Sequence, residues 1–438
     1  MKGIFKMFVC ENLDVNEKGH LTIGGVDAVD IANKYGTPLY VMDIDLVRSN
    51  CRRLNDIVNK YYGDNALLCF ASKSFCCKKI YSIMQQENMG VDTVSIGEMY
   101  TAIKSGFLGK MVYFHGNNKT EDELEYAVEN KIGRVVVDNF AELNSLNYIA
   151  KKKGVVANIL LRLKPGVDAH VHKYVTTGSV NSKFGFDIAN GEAMKAVKKA
   201  TEFENVNLLG IHCHIGSQIF EVEPFLLAAE IMMNFIKSVK DETKNELLEL
   251  NLGGGFGVRY LQADKSFDID FCINSVCKLV KEKANDYGLS LPFLVFEPGR
   301  YIVAQAGVTL YTVGCRKEID GDIIYVSVNG GMTDNPRYIL YGSLYEATLA
   351  NKASKEKVEK VSIAGKCCES GDLLGEGVFL QHAEKGDILA MFVTGAYNYS
   401  MASNYNRNLV PAVLFVENKE CSLAIKRQTL EDLIRNDV

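Results

Sequence analysis

The sequence predicts an α/β plus β protein: a (β/α)8 TIM barrel over residues 36–300, and a β-rich domain built from residues 1–35 and 301–438. Three observations carry that expectation. At 438 residues the chain exceeds what one hydrophobic core usually organises, so two domains, one of them a large barrel, are expected. Between residues 36 and 300, short apolar runs alternate with longer segments of helical period, as in a parallel βα array. Beyond residue 300 the helical period fades, and short apolar runs punctuated by Gly and Asn take over.

In chain order, the apolar run His20 to Ile23 is a strand candidate ahead of the barrel, and Pro38 to Met42 leads into it. Eight barrel strands are then expected: Ala66 to Ser72, Val91 to Ser95, Met111 to His115, Arg134 to Asp138, Ala157 to Leu163, Leu208 to His214, Leu248 to Leu252 and Leu291 to Phe296. Helix-like stretches such as Glu121 to Glu129, Phe225 to Lys240 and Phe271 to Tyr287 separate them. A doubly wound sheet could hold as many strands. The barrel is favoured because Lys73, His115, His212, Gly253 and Glu297 all fall at or just past strand ends, which is the catalytic face of such a barrel. After residue 300, strands are expected at Gly307 to Cys315, Ile323 to Val328, Val361 to Ile363, Asp387 to Val393 and Ala412 to Val416.

Composition excludes several classes. A net charge of -5 speaks against a nucleic-acid binder, although a few arginines could hold a small anion. The opening residues form too short an apolar run for a signal peptide and no later window approaches a membrane span, so a cytoplasmic protein is expected. Twelve cysteines in so long a chain fall far short of disulfide-scaffold density, which favours free thiols in a reducing compartment.

Four motifs carry chemistry within the barrel. Lys73, at the end of an apolar strand, would be partly desolvated, which favours the neutral, Schiff-base-forming amine; an ammonium reaching to water is the bland alternative. His212 and His214, two apart in a strand, share a face and suit stacking on a flat cofactor better than a zinc site, for which no third ligand of the usual spacing is present. Gly253, Gly254 and Gly255 directly after a strand, with Ser217 nearby, fit a phosphate cup, though not a dinucleotide fingerprint; a plain tight turn is the other reading. Glu297 could keep a pyridine nitrogen protonated, so that the ring serves as an electron sink, or could pair with Arg300. In the β-rich part, Gly330 to Tyr341, Cys367 to Asp372 and Gly395 to Asn406 concentrate charged, aromatic and thiol groups. A thiol beside carboxylates is a better proton donor than nucleophile.

Taken together, Cys368-Glu369-Ser370-Gly371-Asp372, the Gly330 to Tyr341 segment, Ser182-Lys183-Phe184-Gly185 and Gly395-Ala396-Tyr397 resemble the fold-type III pyridoxal-phosphate decarboxylases (Orn/Lys/Arg class II), in the branch acting on diaminopimelate. The resemblance covers nearly the whole chain. It implies an alanine-racemase-like barrel with a C-terminal β-sandwich or β-barrel domain, assembled as a homodimer with shared active sites. It further implies pyridoxal 5'-phosphate as cofactor and conversion of meso-2,6-diaminopimelate to L-lysine and CO2. Lys73 would be the Schiff-base lysine, His212 the stacking ring and Glu297 the partner of the pyridine nitrogen. Ser217, Gly253 to Gly255, Pro298, Gly299, Arg300 and Tyr397 would lie around the cofactor. Arg300, Arg337, Tyr341, Glu369 and Tyr397 would bind substrate, and Cys368, from the second subunit, would donate the proton. Tyr338 stands where many relatives have proline and could shift Arg337. The rivals are a decarboxylase of another basic amino acid, such as D-ornithine, D-lysine or carboxynorspermidine, and a non-catalytic regulatory homologue. The first would make Arg337 redundant, and the second should have lost Lys73, Glu297 or Cys368.

Overall fold

The computed structural model describes residues 8–167, 182–319 and 323–438. The opening residues 1–7, part of the N-terminal stretch read for targeting, lie outside them. The chain divides into two compact units: one holds Cys51–Gly257 and Ser266–Gly299, the other the described residues up to Asn50 together with Val258–Lys265 and Arg300–Val438.

The first unit is a closed parallel barrel. Its strands are Ala66–Ala71, Gly90–Thr93, Val112–Phe114, Arg134–Val137, Ala157–Lys164, Val206–His212, Glu249–Asn251 and Phe293–Phe296. Each pairs in parallel with the next, and Phe293–Phe296 returns to Ala66–Ala71 to close the ring. All eight expected strands are present. They were legible because strands buried on both faces read as continuous apolar runs. Cys69, Tyr113, Val136, Leu160 and Val295 cluster in the interior. A buried carboxylate beside them, Glu249, accepts the Tyr113 hydroxyl at 2.7 Å and the Arg134 Nε at 2.7 Å, so its lone pairs are not stranded. The outer helices carry their own start signals. Glu121–Glu129 begins in a reciprocal capping box between Thr120 and Glu123, and Asn139 caps Phe140–Lys153 through the Glu142 N–H.

The second unit is organised around a nine-stranded sheet. Its spine is the 13-residue strand Gly307–Ile319. The first half of that strand pairs antiparallel with Leu39–Asp43 and Ile388–Met391, and the second half with Ile323–Val328. Residues 36–50, grouped with the barrel in the sequence reading, therefore cluster with this unit. The reason is that Leu39–Asp43 pairs with Gly307 to Leu310 of the spine strand and with Ala412–Glu417, and every one of its five residues is buried there. Strands Leu373–Leu380 and Glu420–Ile425 complete the edges, and a three-stranded antiparallel meander runs through Leu13–Val15, Leu21–Ile23 and Val26–Asp27.

Candidate active site

In the barrel unit the chemistry gathers where the parallel strands end. Lys73 sits in the single turn Ser72–Ser74 after the first strand. That turn is fixed from two sides: the Ala71 N–H donates to the Pro298 carbonyl at 3.2 Å, and Ser74 Oγ donates to the Ala71 carbonyl at 2.7 Å. A Cβ on Gly299 would stand 2.8 Å from the Ala71 Cβ, so glycine is needed for Pro298-Gly299 to lie this close to the lysine turn. Lys73 itself is exposed at the barrel mouth rather than desolvated as expected. The run of buried residues through the strand ends one step before it. Its positive charge still reaches Asp92, Glu98 and His214.

At the end of the neighbouring strand Phe293–Phe296, Glu297 is the centre of a buried polar cluster. Its Oε1 accepts from Asn251 Nδ2 at 2.7 Å and lies 2.9 Å from His115 Nε2, and its Oε2 lies 3.3 Å from His212 Nε2. Burial opposes ionisation of Glu297, but the two imidazoles outweigh it and hold the carboxyl well below the usual range. His212 is held neutral, its pKa pushed down to about 3 because burial outweighs the attraction of Glu297. Its Nδ1 is buried without a hydrogen-bond partner. The two rings meet edge to face at 4.8 Å. Two imidazoles and a carboxylate within 4.8 Å also match a cation's donor set, but here the carboxylate itself organises both rings at hydrogen-bonding range.

The glycine run sits between these groups. The Gly253 N–H donates to Asn251 Oδ1 at 2.9 Å, and the Gly254 N–H to His214 Nδ1 at 3.3 Å. His214 thus faces the glycine turn, while His212 faces Glu297. A Cβ on Gly254 would stand 2.1 Å from the Glu297 carbonyl oxygen, and Gly253 adopts φ +67°. Gly255 receives the Ile219 N–H on its carbonyl at 3.0 Å, which draws the Ser217 loop to the glycine run. The expected Lys73, His212, Ser217, Gly253 to Gly255, Glu297, Pro298 and Gly299 therefore belong to one mouth of the barrel.

The β-rich unit holds a second constellation. Arg300, 7% exposed, donates to the Tyr260 hydroxyl at 2.6 Å and lies 4.7 Å from the centre of the Tyr397 ring. Arg337, also 7% exposed, lies 5.3 Å from that ring and 5.1 Å from Tyr341. It donates to the Tyr345 hydroxyl at 3.1 Å and to Ser343 Oγ at 3.2 Å. Two buried guanidinium groups thus lie against one aromatic ring, and Tyr397 reaches them from a left-handed backbone, φ +67°. Tyr338 does not displace Arg337: its hydroxyl turns to Glu376. Cys368 and Glu369 stand on an exposed turn. The Cys368 N–H donates to Asn406 Oδ1 at 2.9 Å, and Glu369 accepts from Tyr405 at 3.3 Å.

Several members were not legible. His115 was placed only at a strand end, Asn251 only within the glycine motif, and Tyr260 and Tyr345 carried no sequence signal. Tyr260 and Tyr345 meet at 5.4 Å from segments 85 residues apart, a pairing no local pattern encodes.

The donor set fits pyridoxal phosphate: an ionised carboxylate for a protonated ring nitrogen, a neutral imidazole with a free buried nitrogen, a glycine-rich turn, and a lysine on the same mouth. Residues 46–304 match the family described as pyridoxal-dependent decarboxylase, pyridoxal binding domain. Fold and site together define a pyridoxal-phosphate-dependent decarboxylase. The chain is 46% identical to the diaminopimelate decarboxylase of Bacillus subtilis over 99% of its length and 98% of that protein, and 48% identical to that of Bacillus methanolicus over 94% and 96%. Among solved structures, the diaminopimelate decarboxylase of M. jannaschii in complex with L-lysine aligns with TM-score 0.89 at 34% identity, covering 98% of both chains. This chain belongs to the diaminopimelate decarboxylase family.

Proposed function

We infer that this chain removes CO2 from meso-2,6-diaminopimelate to give L-lysine. The observation that carries the reading is the pair of buried arginines, Arg300 and Arg337, on the Tyr397 ring. A substrate whose second carboxylate survives the reaction suits two adjacent guanidinium groups, whereas ornithine carries no second carboxylate.

The chain's own groups divide the work. Lys73 would supply the amine that holds the cofactor, Glu297 would keep a proton on its ring nitrogen, and His212 would stack against the ring. Bound there, pyridoxal phosphate would supply the electron sink that decarboxylation needs. Glu369 holds the distal ammonium, Arg300, Arg337 and Tyr341 the distal carboxylate, and the Cys368 thiol returns a proton to Cα. Cys368 and Glu369 are exposed, as are Ile339, Leu340, Leu344 and Phe379 in the same unit. This combination fits a homodimer in which each chain lends its turn to the other's barrel. All twelve cysteines are unpaired, which fits a cytoplasmic enzyme. Among the described residues no helix is long and apolar enough to cross a membrane.

The test offers the cofactor-loaded protein meso-diaminopimelate, D-lysine, D-ornithine and L-ornithine in parallel, following CO2 and amine products. Lysine formed from diaminopimelate, with the others disfavoured by roughly 10⁴-fold, is expected for a site built on paired charges. Turnover of ornithine with diaminopimelate inert would overturn the reading.

A further inference from the structure

Asp372 closes the motif that carries Cys368, yet it is 3% exposed and cannot meet a ligand. Its carboxylate has two backbone partners from different segments: Oδ1 accepts the Met332 N–H at 2.6 Å and Oδ2 the Cys367 N–H at 2.7 Å. The same segments are tied again by the Lys366 N–H to the Gly330 carbonyl at 2.9 Å, and Asp372 closes its own turn through its N–H to the Glu369 carbonyl at 3.0 Å. The fit is tight enough to dictate sequence. A Cβ on Gly331 would stand 2.5 Å from a carboxylate oxygen of Asp372, and one on Gly365 2.2 Å. One residue before Met332, the Gly331 N–H is taken by Asp334 Oδ2 at 3.1 Å, so consecutive amides are aimed at two carboxylates. This loop then feeds the short helix that begins at Arg337.

We propose that Asp372 is a positioning residue for decarboxylation: its buried carboxylate holds the Cys368–Glu369 turn in register with the Gly330–Arg337 segment, so that proton donor and substrate clamp are set by one group. This role for Asp372 rests on those given above to Cys368, Glu369 and Arg337. It also gives Cys367 a part. That thiol is buried, and burial together with the neighbouring Asp372 pushes it up to about 11, so it stays protonated and inert while its backbone N–H serves the clamp.

The test is Asp372→Asn, nearly the same in shape, which replaces one acceptor oxygen with an amide facing an N–H. Cofactor absorbance and its bleaching by borohydride should not change, because Lys73 belongs to the barrel unit. Turnover of meso-diaminopimelate should fall at least about ten-fold with a raised KM, since small misplacements of reacting groups are costly. In D2O the product lysine should carry deuterium of mixed configuration at the decarboxylated carbon, where the parent enzyme gives one configuration. Iodoacetamide should label Cys367 at a rate approaching that of Cys368. Gly365→Ala, which intrudes on the carboxylate while leaving it in place, should reproduce the kinetic and stereochemical defects even if Asp372→Asn folds poorly. If both variants keep kcat and KM within two-fold and a single label configuration, Asp372 is only structural and the proposal fails. Cys368→Ala is the separate control: if it retains full turnover, the donor role of Cys368 falls, and the clamp is then judged by KM and Cys367 labelling alone.

Discussion

Glu297 is held ionised against burial by two imidazoles and an amide, so its charge would be available to the ring nitrogen in the role proposed for it. Glu297→Gln keeps the shape and the Asn251 contact but removes that charge. We expect kcat to fall roughly 10²- to 10³-fold with cofactor still bound, as when a group aimed at developing charge is removed; steady-state kinetics with an absorbance titration of cofactor content would check this. Asp334 behaves in the opposite sense. Burial pushes its carboxyl up to about 7 in spite of the hydrogen bonds from Tyr311 and the Gly331 N–H. Between the ordinary carboxylate range and pH 7, the folded chain keeps a proton that the unfolded chain has released. Stability should therefore fall as pH rises across that window, by on the order of 4 kcal/mol. Scanning calorimetry from pH 5 to 8 should show Tm of the parent falling more steeply than that of Asp334→Asn; parallel slopes would show that Asp334 does not carry the effect. At this scale the sequence displays a residue's chemistry but not its partners. Lys73 and Glu297 were legible because each follows an apolar strand, whereas the Asn251 and His115 contacts that tune Glu297 arise only when the closed ring brings several strand ends together.

The glycine run after strand Glu249–Asn251 does its work as an element, by letting one strand end pack against the next. Gly254→Ala would drive a methyl group to 2.1 Å from the Glu297 carbonyl oxygen, so the turn and the end of strand Phe293–Phe296 must separate. Cofactor affinity should weaken at least about ten-fold, with helix and strand content unchanged, because overpacking at a single contact costs about 1–3 kcal/mol. Fluorescence titration of the cofactor alongside circular dichroism would separate the two effects. Elements also differed in legibility for a physical reason. The barrel strands are buried on both faces and announce themselves as apolar runs. Leu373–Leu380 was missed because Gly375, Glu376 and Gly377 interrupt its apolar pattern, and three of its eight residues are exposed. Glu420–Ile425 was missed because an edge strand with half its residues exposed has no buried face to write into the sequence.

For the whole molecule, the sequence conveyed the division into barrel and β-rich parts but put the first boundary at residue 36. The apolar run Leu39–Asp43 reads like a barrel strand, and composition cannot say which sheet it joins; register with the spine strand Gly307–Ile319 decides it. Assembly is the remaining question at this scale, and the exposed Cys368–Glu369 turn makes it testable. If each active site combines Lys73 of one chain with Cys368 of another, Lys73→Ala and Cys368→Ala are each inactive alone but complement each other. Mixing equal amounts under conditions that let subunits exchange forms hybrid dimers in which one site carries both defects and the other neither. Random exchange should then restore about a quarter of the parent activity, as two-fold symmetry requires. That recovery should track the appearance of hybrids seen by native mass spectrometry of differently tagged chains. Hybrids that form without recovering activity would mean that Cys368 serves the barrel of its own chain.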